Sequence, residues 1–391
     1  MSAVSAHRPA HRPARPWFSS GPCAKKPGWE PGELKDAFVG RSFRHDHGRA
    51  RLREVIRKSR RVLGVPPEYR VGIVPASDTG AFEAAMWNLL GPVGVAVCCW
   101  ENFGFTWLGD VVEQLRLPDV RVHRAPRYGA LPDLSRVDFA RDVVFAWNGT
   151  TSGVRVPDAE WIPAERAGLT ICDATSALFG MEVDVAKLDV VTWSWQKALG
   201  GEGAHGMIAL SPAAVRRLLE YRPPWPLPKV FRLTRGGRLL EEVFDGFPIN
   251  TPSMLAVEDA LVALDWCADS GGLPAMIARS RGNLEAVERW VAASPHVAFL
   301  AEDPATVSPT SICLKFTDPG FERLPEGERA AFTARVCARI EENGAGYDIA
   351  PHREAPPGLR IWGGPTVDRR DVELLLPWVD WAVAETLAEF G

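Results

Sequence analysis

Two residues near the middle of the chain, Asp173 and Lys197, have the types and the surroundings needed for chemistry at a carbonyl group. Asp173 directly follows the apolar run Leu169-Thr-Ile-Cys172, and a carboxylate that closes a buried strand is costly unless a positive group pairs with it. Lys197 follows Thr192-Trp-Ser-Trp-Gln196, where burial would lower its pKa and leave a neutral, nucleophilic amine. A helix N-cap would also explain Asp173, and an ordinary solvated loop would explain Lys197.

The pair means more than either residue alone, because the two positions are 24 residues apart (173 to 197) and each follows a predicted strand. In an open α/β sheet, functional groups collect where the strands end. Pyridoxal phosphate enzymes need a lysine that forms a Schiff base with the cofactor and an acid that holds its pyridinium nitrogen. The two residues therefore favour pyridoxal phosphate chemistry.

Three further stretches offer groups that suit such a cofactor. The run Val71–Val74 leads into Ser77-Asp78-Thr79-Gly80 and a predicted helix, whose free N–H groups suit a phosphate dianion. A plain capped turn is the alternative there. Asn148-Gly-Thr150-Thr-Ser-Gly153 offers hydroxyls and amides at another strand end, and Glu101-Asn-Phe103-Gly-Phe105 offers an aromatic face, although core packing commonly explains a phenylalanine.

The elements that must position these groups alternate between short apolar strands and amphipathic helices, which predicts an α/β structure with a sheet covered on both faces. The predicted strands are 71–74, 95–99, 120–122, 143–147, 169–172, 190–193 and 207–210. The predicted helices are 49–63, 80–90, 107–115, 212–219 and 374–390. We expect a flexible tail over residues 1–16, a large domain over 17–270 and a smaller C-terminal α+β domain over 271–391.

The composition excludes several classes of protein. The 391 residues are 46% hydrophobic and 24% charged, with a net charge of −4, which is ordinary for a globular protein and disfavours general nucleic-acid binding. No apolar stretch is long enough to span a bilayer, and the basic N-terminus lacks the apolar region of a secretory signal. The seven cysteines form no Cys-x-x-Cys pair, so we expect buried thiols and a cytoplasmic protein.

Two other motifs are weaker. Gly201-Glu-Gly-Ala-His-Gly206 matches the dinucleotide fingerprint G-x-G-x-x-G, but it precedes a predicted strand instead of following a first one. We therefore expect it to be the loop behind Lys197, and a nicotinamide-dependent dehydrogenase remains a minor alternative. His45-Asp-His47 has no further ligand nearby in the sequence, so we expect a charged turn and no metal.

Taken together, motifs that span nearly the whole chain resemble the phosphoserine aminotransferase family, class V members of the fold-type I pyridoxal phosphate enzymes. The matching stretches are Phe18-Ser-Ser-Gly-Pro22, Ser42-Phe43-Arg44, Ser194-Trp-Gln196-Lys197, Ile249-Asn250-Thr251-Pro252-Ser253, His352-Arg353 and Gly358-Leu-Arg360. The resemblance implies a mostly parallel seven-stranded sheet in the large domain. It also implies a homodimer with shared active sites that transfers an amino group between glutamate and 3-phosphohydroxypyruvate, with activity on a phosphorylated hydroxythreonine as a side reaction.

The same resemblance implies roles for individual residues. Lys197 would be the Schiff-base lysine and Asp173 the partner of the pyridine nitrogen. The other cofactor-binding residues would be Thr150 at the ring hydroxyl, Gln196 and the amides of Asp78 and Thr79 at the phosphate, Phe103 over the ring, and Asn250 and Thr251 from the neighbouring subunit. The substrate's phosphate and carboxylate would meet Arg44, Arg353 and Arg360, with His352 beside them, because guanidinium groups bind such anions bidentately.

This sequence departs from the family pattern at the substrate and phosphate side. Phe43 stands where a histidine is usual, and Ala76-Ser-Asp-Thr-Gly80 replaces the usual arginine-bearing glycine-rich loop. Phe105 or Trp107 could replace Phe103 as the stacked aromatic. An alanine–glyoxylate aminotransferase, a cysteine desulfurase and a non-catalytic relative remain the alternatives.

Overall fold

In the computed structural model, which describes residues 7–390, the chain forms one large and three small sheets. The large sheet has seven strands in the order β1-β9-β8-β7-β4-β2-β3. Its members are β1 (Arg70–Pro75), β2 (Val95–Cys99), β3 (Val120–Arg124), β4 (Asp142–Ala146), β7 (Thr170–Asp173), β8 (Val190–Ser194) and β9 (His205–Leu210). Only β9 runs antiparallel to its neighbours, so the sheet is mostly parallel, as expected.

Except for the edge strand β3, which is partly exposed, the strands are largely apolar because both faces of the sheet are covered. In β2, Ala96 and Cys98 pack into one core cluster, whereas Val95 and Val97 pack into the other, on the opposite face. The seven cysteines are unpaired and six of them are buried, which confirms the prediction of buried thiols.

Ten α-helices surround these sheets in the described part of the chain. They are α1 (Asp46–Leu63), α2 (Ser77–Leu89), α3 (Asn102–Gly109), α4 (Pro212–Glu220), α5 (Glu241–Phe244), α6 (Met254–Asp269), α7 (Gly272–Ala293), α8 (Pro319–Glu322), α9 (Glu326–Glu342) and α10 (Arg369–Phe390). No helix among residues 7–390 is both long and apolar enough to cross a membrane.

The seven predicted strands all form, and the predicted helices form too, α4 at its predicted start and the others with earlier starts. α3 begins five residues before the predicted Trp107, because the side chain of Glu101 caps it by accepting from Gly104 N; a π-helical turn over Asp110–Gln114 follows it. α6 was missed, since most of its residues are buried and apolar and it therefore has little amphipathic periodicity.

The C-terminal part contains a second, antiparallel sheet. Its strands are β12 (Val297–Phe299), β13 (Ser311–Phe316) and β14 (Gly358–Trp362), in that order. Helix α7 contacts β12 and α10, and α10 also contacts α9. The remaining strands form two short two-residue ladders: β5 (Asn148–Gly149) with β6 (Val154–Arg155), and β10 (Thr234–Arg235) with β11 (Arg238–Leu239). The chain passes from α6 to α7 at Ser270–Gly271, and the domain boundary placed there stays a prediction.

The first described residues make specific hydrogen bonds, and the flexible tail expected over residues 1–16 stays a prediction. Trp378 of α10 donates from its indole N–H to the His11 carbonyl at 2.8 Å, and Ala14 N donates to Asp371 Oδ1 at 2.7 Å. Tyr347 N donates to the Pro16 carbonyl at 2.8 Å. Residues 11–16 are therefore attached to the C-terminal part; residues 1–6 lie outside the described range.

Candidate active site

Asp173 and Lys197 are brought together by two adjacent parallel strands. Asp173 is the last residue of β7 and pairs in register with Thr192 of β8. Five residues beyond Thr192, Lys197 lies in the loop between β8 and β9, and both side chains line one cavity of about 110 Å³. The predicted placement of the two residues at neighbouring strand ends is confirmed.

The carboxylate of Asp173 is buried and held by two donors. Thr175 N donates to Oδ1 at 3.0 Å, and the indole N–H of Trp107 donates to Oδ2 at 3.2 Å. Trp107 lies in α3 and packs against Phe82 of α2, with ring centroids 4.8 Å apart. The acid is therefore fixed by two elements of the large domain.

Lys197 meets the N-terminal segment of the chain. Its Nζ donates to the carbonyl of Ser20, and Cys23 N donates to the Gln196 carbonyl at 2.8 Å. Gly21 has a φ of +148°, and a Cβ there would lie 2.8 Å from Lys197 Nζ, so this position requires glycine. Burial lowers the pKa of Lys197, and the Arg360 guanidinium acts in the same direction, although Cys23 and Asp173 oppose it.

The first turn of α2 presents free amides to the same cavity. Ala76 and Ser77 have positive φ values of 66° and 52°, which turn the chain from β1 into the helix. Among the described residues, no acceptor is present for the amides of Asp78 and Thr79. A Cβ on Gly80 would lie 2.2 Å from the Pro75 carbonyl oxygen, so this close turn requires glycine.

Six residues of the cavity come from the segments after β4, β7 and β8. They are Asn148, Thr150, Thr175, Ser176, Gln196 and Lys197. The Oδ1 atom of Asn148 and the Oε1 atom of Gln196 are buried without a hydrogen-bond partner among the described residues. Orphaned polar atoms beside free helix amides fit a polar, phosphorylated ligand.

A buried glutamate fixes the loop that carries Thr150. Glu101 Oε2 accepts from Thr151 N at 3.1 Å and from Thr151 Oγ1 at 2.7 Å, while Oε1 accepts from Gly104 N at 3.0 Å. Burial raises the pKa of Glu101, although these three donors oppose that effect. Glu101 thereby joins the start of α3, with Phe103, to the loop at Thr150.

Of the three aromatic candidates, Phe103 and Trp107 line the cavity. Phe105 instead packs under Arg124, whose Cζ lies 4.5 Å from the ring centroid. Phe103 and Trp107 both remain able to cover a ring, and the choice of Phe103 stays a prediction.

The predicted substrate residues differ in how far their side chains are exposed. The Arg360 side chain is half-buried near Lys197, and its Nε is buried without a partner among the described residues. The His352 ring lies 6.2 Å from that of Phe103. Arg353 has a side chain that is 86% exposed and pairs with Glu354 at 3.5 Å.

Six predicted site residues do not line this cavity within one chain: Arg44, His352, Arg353, Arg360, Asn250 and Thr251. Arg44 is exposed and stacks on Phe43, with Cζ 4.4 Å from the ring centroid. Asn250 and Thr251 are exposed on the loop before α6. Their roles stay predictions that require a second copy of the chain.

Five cavity residues were not predicted as site residues: Ser77, Trp107 as a donor, Asn148, Thr175 and Ser176. Thr175 and Ser176 directly follow Asp173, so their position after a strand end was the available signal. The loop Gly201–Gly206 leads from Lys197 into β9, as expected, and does not open a helix. His45 caps α1 by accepting from His47 N at 3.2 Å.

Comparison with known proteins shows which family the chain belongs to. No protein-family model matches the chain. The alanine–glyoxylate aminotransferase structure from Nostoc sp. has a TM-score of 0.75 at 18% identity, and covers 96% of this chain and 97% of that one. The phosphoserine aminotransferase structure from Cytophaga hutchinsonii has a TM-score of 0.76 at 18% identity, covering 95% and 98%. These structures show a shared fold and do not separate the two activities.

The sequence comparison does separate them. The chain is 53% identical over 375 residues to the phosphoserine aminotransferase of Methanosarcina barkeri, across 96% of this chain and 98% of that protein. Agreement over the full length of both chains, together with a lysine and an acid at one cavity of the shared fold, identifies the chain as a member of the phosphoserine aminotransferase family.

Proposed function

We propose that this chain is a pyridoxal phosphate-dependent aminotransferase that interconverts 3-phosphohydroxypyruvate and L-glutamate with O-phospho-L-serine and 2-oxoglutarate. The observation that carries the proposal is the single cavity lined by Asp173 and Lys197. The name of the Methanosarcina barkeri relative supports the substrate. We also propose a role in serine biosynthesis in the cytoplasm, with a phosphorylated hydroxythreonine in pyridoxine biosynthesis as a second substrate.

The residues present fit the cofactor. Asp173 would hold the ring nitrogen, Thr150 the ring hydroxyl and Phe103 the ring face. Gln196 and the free amides of Asp78 and Thr79 would bind its phosphate. Pyridoxal phosphate supplies an electron sink for the negative charge that develops at the substrate's α-carbon.

Lys197 is the group that moves a proton. Because burial lowers its pKa, its amine is more available in the neutral form. This form would accept the proton from the substrate's α-carbon and return it to the carbon of the cofactor. The Ser20 carbonyl positions Nζ when the amine is free. Asp173, held by Thr175 and Trp107, lines the same cavity and would face the ring nitrogen.

The substrate's two anionic groups would meet arginines. Arg360 is the one beside Lys197, and its Nε, which has no partner within residues 7–390, would bind a carboxylate or a phosphate. His352 and Arg353 lie in the turn that precedes β14. The exposed Arg44, Asn250 and Thr251 would act at the cavity of the neighbouring subunit, which requires a homodimer.

The test uses the purified chain loaded with pyridoxal phosphate. Borohydride reduction is expected to fix the cofactor on the peptide that contains Lys197, and Lys197→Ala should abolish this labelling. Adding O-phosphoserine should bleach the visible absorption band, while L-alanine at the same concentration should leave it. A protein that never binds the cofactor would contradict the proposal that the chain is a pyridoxal phosphate-dependent enzyme. Bleaching by alanine alone would favour an alanine–glyoxylate aminotransferase.

A further inference from the structure

A second carboxyl group, that of Asp78, belongs to a residue that lines the cavity, and it has no role in the mechanism above. The sequence assigns only the Asp78 backbone amide, whereas the side chain lines the same cavity as Asp173. It is 5% exposed, and its Oδ1 is buried without a hydrogen-bond partner among the described residues. A buried carboxylate in this state is costly, so the position needs an explanation.

The fold forces the two acids together. α2 packs against β7 and β8, which carry Asp173 and Thr192. Two carboxyl groups that share one site cannot both ionise cheaply, so one of them keeps its proton. Asp173 already accepts from Thr175 N and from Trp107 Nε1, which stabilises its charged form, whereas Asp78 Oδ1 has no donor among residues 7–390. The proton therefore belongs on Asp78.

The surrounding charges agree with this assignment. Burial and the neighbouring Asp173 carboxylate raise the pKa of Asp78 well above its ordinary value, although the Thr192 hydroxyl and Lys197 oppose this. The other acidic groups near Asp173 are Glu101, behind α3, and the thiol of Cys172, and burial raises the pKa of both.

We propose that Asp78 is a positioning residue whose protonated carboxyl donates a hydrogen bond to Asp173 and so fixes the acid that faces the ring nitrogen of the cofactor. The proposal rests on the proposed function only for the identity of that ring; the acid pair itself belongs to the chain without cofactor. An asparagine at this position would keep an N–H donor that does not titrate, whereas an alanine would remove the donor.

The first test uses the full chain without cofactor and reads the proton directly. Infrared difference spectroscopy at neutral pH should show a carboxylic-acid C=O band in the unaltered protein that is missing in Asp78→Asn. Isotope labelling of aspartate side chains should shift this band, which assigns it to an aspartate, and its loss in Asp78→Asn identifies the residue. Absence of a labelled carboxylic-acid band at neutral pH would overturn the proposal.

The second test asks whether Asp78 keeps its proton because of the charge on Asp173. In Asp173→Asn the like charge is gone, so the band should titrate at lower pH than in the unaltered protein. An unchanged titration would show that Asp78 is merely a buried acid, and would overturn the pairing. Neither result depends on whether the chain is an aminotransferase.

The third test links the pair to the cofactor. Asp78→Ala should weaken pyridoxal phosphate binding by about tenfold, as expected for one hydrogen bond, and Asp78→Asn should restore it to within about twofold. Equal losses in both variants would overturn the positioning role. Failure of the proposed function would appear differently, as no cofactor binding by the unaltered chain while the carboxylic-acid band persists.

Discussion

Trp107 donates its indole N–H to Asp173 Oδ2 at 3.2 Å. With Thr175 N on Oδ1 at 3.0 Å, each oxygen of the carboxylate has a fixed donor. The orientation of the acid is therefore set by α3 and by the chain after β7 before any ligand binds. This preorganisation is what a group that holds a ring nitrogen needs.

Replacing Trp107 with Phe should weaken cofactor binding while leaving the fold intact. The substitution removes one hydrogen bond to a charged group, worth about 2 kcal/mol, so the dissociation constant of pyridoxal phosphate should rise by about thirtyfold. Titration of the visible absorption band measures it. Trp193→Phe is a matched control, because Trp193 is equally buried but its indole N–H has no partner among residues 7–390. Equal effects in both variants would assign the loss to packing alone.

Arg360 and Arg353 should differ strongly in their effect on turnover. Arg360 lies beside Lys197, whereas the side chain of Arg353 is 86% exposed and paired with Glu354. Removal of a charge-assisted contact costs about 3 kcal/mol, so Arg360→Gln should lower kcat/KM for O-phosphoserine by about a hundredfold. Arg353→Gln should lower it by less than about tenfold. Steady-state kinetics decides; a larger loss in Arg353→Gln would mean that its segment folds over the bound substrate.

Much of this arrangement was predictable from local patterns. The apolar runs predicted all seven strands of the large sheet because a buried parallel strand is apolar on both faces. The polar residues that end two of those runs, Asp173 and Lys197, then followed from the rule that site residues gather at strand ends. Gly80 and the free amides at the start of α2 were also visible as a strand-to-helix turn.

What was missed depends on contacts between distant parts of the chain. Nothing near Ser20 indicates that its carbonyl accepts from Lys197, since the two are brought together only by the tertiary fold. The side chain of Asp78 looks like an ordinary helix-start acid in the sequence, and only packing against β7 and β8 turns it towards Asp173. Arg44, Asn250 and Thr251 lie away from the cavity of their own chain, and no single-chain pattern determines where a second copy places them.

Truncation of the N-terminal segment should destabilise the protein. Deleting residues 1–15 removes the acceptor of the Trp378 indole N–H and the donor to Asp371. Two hydrogen bonds of this kind contribute about 2 kcal/mol to the free energy of unfolding, which urea denaturation measures. A deletion that stops before His7 is the control and should have no effect. If the longer deletion also has none, the segment is the flexible tail that the sequence suggested.

The loop before α6 depends on a buried histidine. His205 of β9 is 3% exposed, and its Nε2 accepts from Ser253 N at 3.1 Å, at the residue that caps α6. Its ring packs on Trp195, with centroids 4.9 Å apart, two residues before Lys197. The histidine therefore connects the loop of the reactive lysine to the loop of Asn250 and Thr251.

Protonation of His205 should destabilise the fold in a defined pH range. Burial lowers the pKa of His205 from 6.5 to about 4, so between these values the unfolded chain binds more protons and stability falls as the pH falls. The loss from about pH 6.5 to pH 4 should reach about 3 kcal/mol. His205→Gln keeps an acceptor for Ser253 N but cannot take up the proton, so this variant should lack that part of the slope. Urea denaturation of both proteins at several pH values gives the difference in their free energies of unfolding. If the two free energies fall in parallel from pH 7 to pH 4, His205 takes up its proton in the folded protein as readily as in the unfolded chain.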